Sequence, residues 1–308
     1  MKTIILDDWE MNMQETPAFA ELQRISEVEV FHDQPSEQVL LERIRTADAI
    51  VPLRERTAFT RDILAEMTSK QLIAQTGKGT AHIDMEAAED YGISVITTPG
   101  ASTPAVAELT FGLMIDCARH ISHNTAQMKE GTWLQDIGLN LEGRTLGLVG
   151  FGKIGQRVAS IAEAFGMNVQ VWGPKRAEAR AKEAGITYQP LDELLRTSDF
   201  VSVHVRLTAD TKHLLQAEHF KKMKPSAYFI NTSRGSVAKE EDLVEALRTN
   251  EIAGAGLDVF GEEPLPENHA YQNLENVVLT PHIGWKTKET FDGFLGAATE
   301  NIRKHYGL

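Results

Sequence analysis

The 308-residue sequence holds one cysteine, Cys117, so an internal disulfide framework is excluded. Set in an apolar helical stretch, that thiol reads as core filler in a protein of a reducing compartment. No apolar run approaches the length that spans a bilayer, and no low-complexity segment or block of like charge interrupts the chain. Cations are in deficit: 31 Lys and Arg stand against 44 Asp and Glu, a net charge of −13. No basic stripe exists to neutralise phosphates, which argues against a nucleic-acid partner. The first residues, Met1-Lys2-Thr3-Ile4-Ile5-Leu6-Asp7-Asp8, read as a strand running into acids rather than a secretory signal. A cytoplasmic location is expected, with no membrane contact and no metal site.

Apolar runs that suit strands alternate with helical patterns almost throughout, which predicts an α/β protein with parallel sheets. The length fits two domains, each able to bury a core. Strands are expected at Thr3–Leu6, Val28–Phe31, Ala49–Leu53, Leu72–Gln75 and Ile93–Thr97. One long helix is expected from Thr103 to Glu130, with Pro104 in its first turn. Further strands are expected at Arg144–Val149, Asn168–Trp172, Phe200–His204, Ala227–Asn231, Ala253–Val259 and Val277–Thr280. The segment Lys286–Leu308 reads as an amphipathic helix with Phe291, Phe294, Leu295 and Ile302 on its apolar face.

The most specific feature is Gly150-Phe151-Gly152-Lys153-Ile154-Gly155. A strand precedes it, a helical pattern with Val158, Ile161, Ala162 and Phe165 follows, and a second strand closes the unit within about 30 residues. This is the context of a dinucleotide fingerprint. Gly150 suits the tight turn, Gly152 a close backbone approach to a pyrophosphate, and Gly155 close helix–strand packing, with the anion on the helix N-terminus. Three downstream segments, each just past an expected strand, carry candidate catalytic groups: Asn231-Thr232-Ser233-Arg234-Gly235, Leu257-Asp258 through Glu263-Pro264, and Thr280-Pro281-His282-Ile283-Gly284. Ligands of open α/β sheets bind beyond such carboxyl ends.

With these motifs the chain resembles the D-isomer-specific 2-hydroxyacid dehydrogenases, the family of phosphoglycerate dehydrogenases and glyoxylate/hydroxypyruvate reductases. The likeness extends over Pro52-Leu53-Arg54-Glu55-Arg56-Thr57, Gly77-Lys78-Gly79, Thr98-Pro99-Gly100-Ala101-Ser102 and Val106-Ala107-Glu108. It implies two doubly wound parallel-sheet domains. Residues 1–99 and 286–308 would form a flavodoxin-like substrate domain, and 100–285 a Rossmann NAD(P)-binding domain. It implies hydride transfer between a nicotinamide cofactor and a 2-oxo or 2-hydroxy acid. Arg234 would clamp the carboxylate and polarise the carbonyl. His282 would give and take the proton, and Glu263 would hold the imidazole and favour its charged form. Backbone N–H groups of Gly77, Lys78 and Gly79 would cradle the carboxylate, and Arg54 would reach the distal part of the substrate. The cofactor would be met by Gly150, Gly152, Lys153, Ile154, Gly155, His204, Val205, Arg206, Thr211, Thr232, Ser233, Asp258 and Gly284. The family is commonly dimeric through the cofactor domain, so a homodimer is expected.

Departures from the family pattern bear on specificity. Gly173 stands where NAD-preferring members carry an acid, and Lys175 and Arg176 follow it. Without the carboxylate, and with two cations beside it, the strand end favours NADP over NAD. His82 replaces the usual asparagine, Arg206 a proline and Trp285 a small residue. Two rival readings fit less well: a dehydrogenase of another small anion such as phosphite, and a dinucleotide-sensing co-repressor-like protein.

Overall fold

The computed structural model describes every residue except Lys175. Its chain forms two compact units, Met1–Ser102 with Lys286–Leu308, and Thr103–Trp285.

In the first unit, β1 (Lys2–Leu6), β2 (Glu27–Val30), β3 (Ala49–Pro52), β4 (Leu72–Gln75) and β5 (Ser94–Thr97) form a parallel sheet in the order β2-β1-β3-β4-β5. That is the flavodoxin-like order. The central strands β3 and β4 are buried along their whole length, as befits a parallel sheet covered on both faces. The helix Lys288–Tyr306 belongs to this unit, and Phe291, Phe294, Leu295 and Ile302 are all buried. It packs on the helix Pro17–Gln23 and on β4, and its first residues are joined to the unit by the Ala18 N–H, which donates to Asp292 at 2.8 Å.

In the second unit, β6 (Thr145–Val149), β7 (Asn168–Trp172), β8 (Thr187–Tyr188), β9 (Phe200–Val203), β10 (Tyr228–Asn231), β11 (Gly254–Leu257) and β12 (Val277–Leu279) form a second parallel sheet. The order β12-β11-β10-β9-β6-β7-β8 reverses direction between β6 and β9. This is the topological switch of a Rossmann sheet, where a crevice opens beyond the strand ends. One face carries a core around Phe220, Phe229, Leu243 and Leu247, and the other a core around Phe111, Met114, Val158 and Phe200. Cys117 lies in the second of these, 4% exposed, and burial pushes its thiol up to about 12. It is core filler, inert as a nucleophile.

One expectation needs correction, and one strand was not anticipated. The helix from Thr103 is not continuous to Glu130: Thr103–Arg119 and Ile121–Lys129 are separated at His120, which has φ +52°. The carboxylate of Asp116 accepts from the Ser122 N–H and hydroxyl at 2.8 and 3.1 Å. Such local side-chain acceptors compete with the helix ladder and allow a new helix to start. The two-residue strand β8 was too short to register as a pattern.

Candidate active site

All seven strands of the second unit run the same way, so the loops leaving them collect at one edge. Gly150 follows β6, Gly173 follows β7, His204 follows β9, Thr232–Arg234 follow β10, Asp258 follows β11 and Thr280–Gly284 follow β12. These sequence-predicted residues are therefore brought to a common edge.

The glycines of the fingerprint have distinct physical reasons. Gly150 has φ +112°, and a Cβ there would lie 2.6 Å from the His204 backbone across the β6/β9 switch. A Cβ on Gly155 would lie 2.4 Å from the Gly150 carbonyl, so helix Lys153–Ala164 closes tightly on the turn. Gly152 differs: nothing lies within 4 Å of a Cβ built there. No protein atom requires that glycine, and the open space is what a pyrophosphate approaching the backbone needs. The Lys153 and Ile154 N–H groups at the helix start have no acceptor among the described residues, as an anion site requires. Lys153 is exposed and Ile154 half-buried against the core.

Gly173 is buried, and a Cβ would meet Ala177 Cβ at 2.8 Å and Gly150 Cα at 3.3 Å. The close start of helix Ala177–Glu183 thus leaves no room for the missing acid. Arg176 is exposed beside it, whereas Lys175 lies outside the described residues. Arg180 was not among the residues expected at the site. Its Nη1 donates to the Phe151 carbonyl at 3.3 Å, which brings its guanidinium to the fingerprint turn. Its spacing of one helical turn from Arg176 was the available signal.

The expected His282–Glu263 contact is formed. His282 Nδ1 lies 2.6 Å from Glu263 Oε2, and Glu263 Oε1 accepts from the Phe260 N–H at 2.9 Å. Burial alone would raise the Glu263 carboxyl. The His282 hydrogen bond and charge, the Phe260 amide and the Arg234 charge outweigh burial and hold it below its ordinary value. Composition could not choose between Glu262 and Glu263; Glu263 is the one that reaches the ring. His282 itself has φ +51°, and Asp258 braces that turn. The Asp258 carboxylate, 1% exposed, accepts from Thr280 Oγ1 at 2.6 Å and from the Ile283 and Gly284 N–H groups at 2.8 Å each. Burial raises its carboxyl against those three donors. This bracing was not visible in the sequence, since the partners lie more than twenty residues on.

Arg234 is exposed and donates to the Ser233 carbonyl at 2.7 Å. Asn231 shapes the loop: its amide donates to the Arg234 carbonyl, and its carbonyl accepts from the Ser233 N–H and hydroxyl. Thr232 is buried against Thr110, hydroxyl to hydroxyl at 3.0 Å. Val205 is buried and Arg206 exposed, and the Thr211 hydroxyl ties the following loop by donating to the Arg206 carbonyl. Trp285 is buried.

In the first unit, Arg54 follows β3 and Gly77–Gly79 follow β4. Arg54 has φ +63° and is clamped at both ends. Its N–H donates to Thr76 Oγ1 at 2.7 Å, and its carbonyl accepts from Gln75 Nε2 at 2.8 Å. The Gly77 N–H donates to Thr98 Oγ1 at 2.7 Å. The Lys78 and Gly79 amides have no acceptor among the described residues. Gly77, at φ +87°, shapes the turn. His82 Nε2 meets Gln75 Oε1 at 3.2 Å, and its Nδ1 is buried without a partner among the described residues. Gln75 Nε2 donates to two carbonyls, so Oε1 faces the ring, and Nε2 of His82 carries the proton.

Burial of the His204 ring, hydrogen-bonded to Ser202 Oγ at 2.9 Å, pushes its pKa down to about 4. The unfolded chain takes up this proton near 6.5 and the folded chain only near 4, so stability falls as pH falls between those values. The expected loss from this residue between pH 7 and 5 is about 2 kcal/mol. Urea unfolding of wild type and His204→Asn at both pH values measures it: a smaller acid loss in the variant is predicted, and identical losses would contradict the assignment.

Comparison with known proteins accords with this geometry. Residues 111–284 match the family model described as D-isomer specific 2-hydroxyacid dehydrogenase, NAD binding domain. Over 286 residues the chain is 42% identical to a hydroxypyruvate reductase of Thermotoga maritima, covering 92% of each chain. It is 39% identical to a glyoxylate reductase of Thermococcus litoralis, covering 91% of this chain and 88% of that one. A phosphoglycerate oxidoreductase structure from Vibrio cholerae superposes with a TM-score of 0.88 at 36% identity, covering 100% of this chain and 99% of the other. A glycine turn at the switch point, an imidazole–carboxylate pair and these likenesses agree: the chain belongs to the D-isomer-specific 2-hydroxyacid dehydrogenases, NAD(P)-dependent oxidoreductases.

Proposed function

We propose that this enzyme reduces short 2-oxo acids to D-2-hydroxy acids, preferring NADPH to NADH, and catalyses the reverse oxidation. The observation that carries the reading is the 2.6 Å contact between His282 and Glu263. Glu263 engages Nδ1, and Nε2, which has no partner among the described residues, is the atom that gives the carbonyl oxygen its proton and takes it back. Glu263, held ionised, offsets the charge of the protonated ring. Arg234 pairs its planar fork with the substrate carboxylate and polarises the carbonyl. When bound, the nicotinamide supplies the hydride.

The cofactor is held by Gly150, Gly152, Lys153, Ile154 and Gly155 at the pyrophosphate, with His204, Val205, Arg206, Thr211, Thr232, Ser233, Asp258 and Gly284 along the strand ends. Residues 100–285 thus serve as the cofactor domain. Residues 1–99 and 286–308 serve as the substrate domain, with Lys78 and Gly79 amides for the carboxylate and Arg54 for the distal part. The preference for NADPH rests on Gly173, which removes a repelling carboxylate, and on Arg176 and Arg180 near the same strand end. Lys175 is assigned to the same cluster from its position in the sequence.

The assembly we favour is a homodimer in the cytoplasm. Helix Ile121–Lys129 buries none of its residues, and Ile121, Met128, Trp133 and Ile137 are 50 to 92% exposed. So dense an apolar surface fits contact with a second copy. A monomeric mass by light scattering would contradict it.

Oxidation of NADPH and NADH, followed in parallel with glyoxylate, hydroxypyruvate and pyruvate, tests the main reading. NADPH is expected to give the higher kcat/KM, and equal use of both cofactors would overturn that preference. His282→Ala is expected to lose roughly 10²–10⁴-fold in turnover while retaining cofactor affinity. Wild-type rates in that variant would overturn its role as proton donor.

A further inference from the structure

The turn after β4 carries opposite charges at its two glycines. A Cβ on Gly77 would lie 2.4 Å from Arg54 Nη1, and a Cβ on Gly79 would lie 1.9 Å from Glu55 Oε1. Each glycine leaves the room that one charged side chain occupies. A residue with a side chain at 79 would displace the Glu55 carboxylate, and a residue with one at 77 would displace the Arg54 guanidinium. The two charges are also partners, with Arg54 Nη2 3.6 Å from Glu55 Oε2.

Beside them, Arg56 donates to Glu10 through two bonds of 2.7 and 2.8 Å and to the Asp7 carbonyl at 2.6 Å. Lys78 is exposed. The His82 ring, which feels the Glu55 charge, is held back from ionising by its burial. Around Arg54 the local field is therefore that of an ion pair, not of a bare cation.

We infer that Glu55 is a specificity-determining residue: its carboxylate makes the distal end of the substrate site accept 2-oxo acids whose far substituent is an uncharged hydrogen-bonding group and reject those carrying a second anion. This rests on the functional reading above, in which Arg54 meets the distal part of the acid. A hydroxyl group can donate to Glu55 and leave the Arg54–Glu55 pair intact. A phosphate or second carboxylate would have to take Arg54 from Glu55 and lie within a few ångströms of a like charge. Like charges at such range near a protein surface change binding by about tenfold or more.

The test compares kcat/KM for hydroxypyruvate and for its 3-phosphate ester in wild type, Glu55→Gln and Glu55→Asp. NADPH affinity and Tm, measured for each variant, verify that it is folded. Wild type is expected to favour hydroxypyruvate. Glu55→Gln is expected to reduce that ratio about tenfold or more, and Glu55→Asp, which keeps the charge, to preserve most of it. An unchanged ratio in a folded Glu55→Gln enzyme would overturn the role of Glu55 and leave the reductase reading standing. Turnover of neither acid, nor of glyoxylate, by wild type would overturn both.

Discussion

The buried carboxylate of Asp258 is the constraint on which the catalytic edge depends. It ends β11, and its two oxygens bind the hydroxyl of Thr280 and the amides of Ile283 and Gly284. Those three donors surround His282, a residue with φ +51° that an unsupported loop would not hold. The brace thus fixes the backbone on both sides of the imidazole before Glu263 fixes the ring. Removing one member of such a buried set leaves the others unsatisfied, which costs more than the single bond is worth. The orientation of the His282 ring is in this sense built from β11 outward.

The second requirement is close approach at the switch between β6 and β9. Gly150 and Gly155 allow backbone to touch backbone there, while Gly152 alone faces open space. The same triplet of glycines thus divides, with internal packing at two positions and an open face at one. A similar division recurs in the first unit. Gly77 gives its amide to Thr98, and the amides that remain without an acceptor among the described residues belong to Lys78 and Gly79.

Much of the architecture was legible in the sequence because parallel strands announce themselves as short apolar runs between helical patterns. The main strands except β8 were read near their observed positions, and Phe291, Phe294, Leu295 and Ile302 were read as the buried face of their helix. The break at His120 was not legible, because it depends on where the Asp116 carboxylate turns, and the local pattern continues through it. Within the candidate site, His282, Glu263 and Arg234 were singled out through their motifs, and the first two are in contact. What escaped was the set of contacts between distant segments: Asp258 with Gly284, Arg180 with Phe151, and Glu55 against Gly79. Periodicity carries no information about such pairs, which arise only when strand ends are gathered at one edge. The bond from the Gly77 amide to Thr98 has the same origin, since Thr98 lies twenty-one residues away.

The central claim is that Arg234 and the braced His282–Glu263 pair hold a 2-oxo acid in one orientation, so that hydride arrives at a single face of the carbonyl. The most direct measurement is the handedness of the product. Hydroxypyruvate reduced to completion by the enzyme and its preferred cofactor, then resolved by chiral chromatography, should give D-glycerate alone. L-glycerate or a racemic mixture would contradict the account.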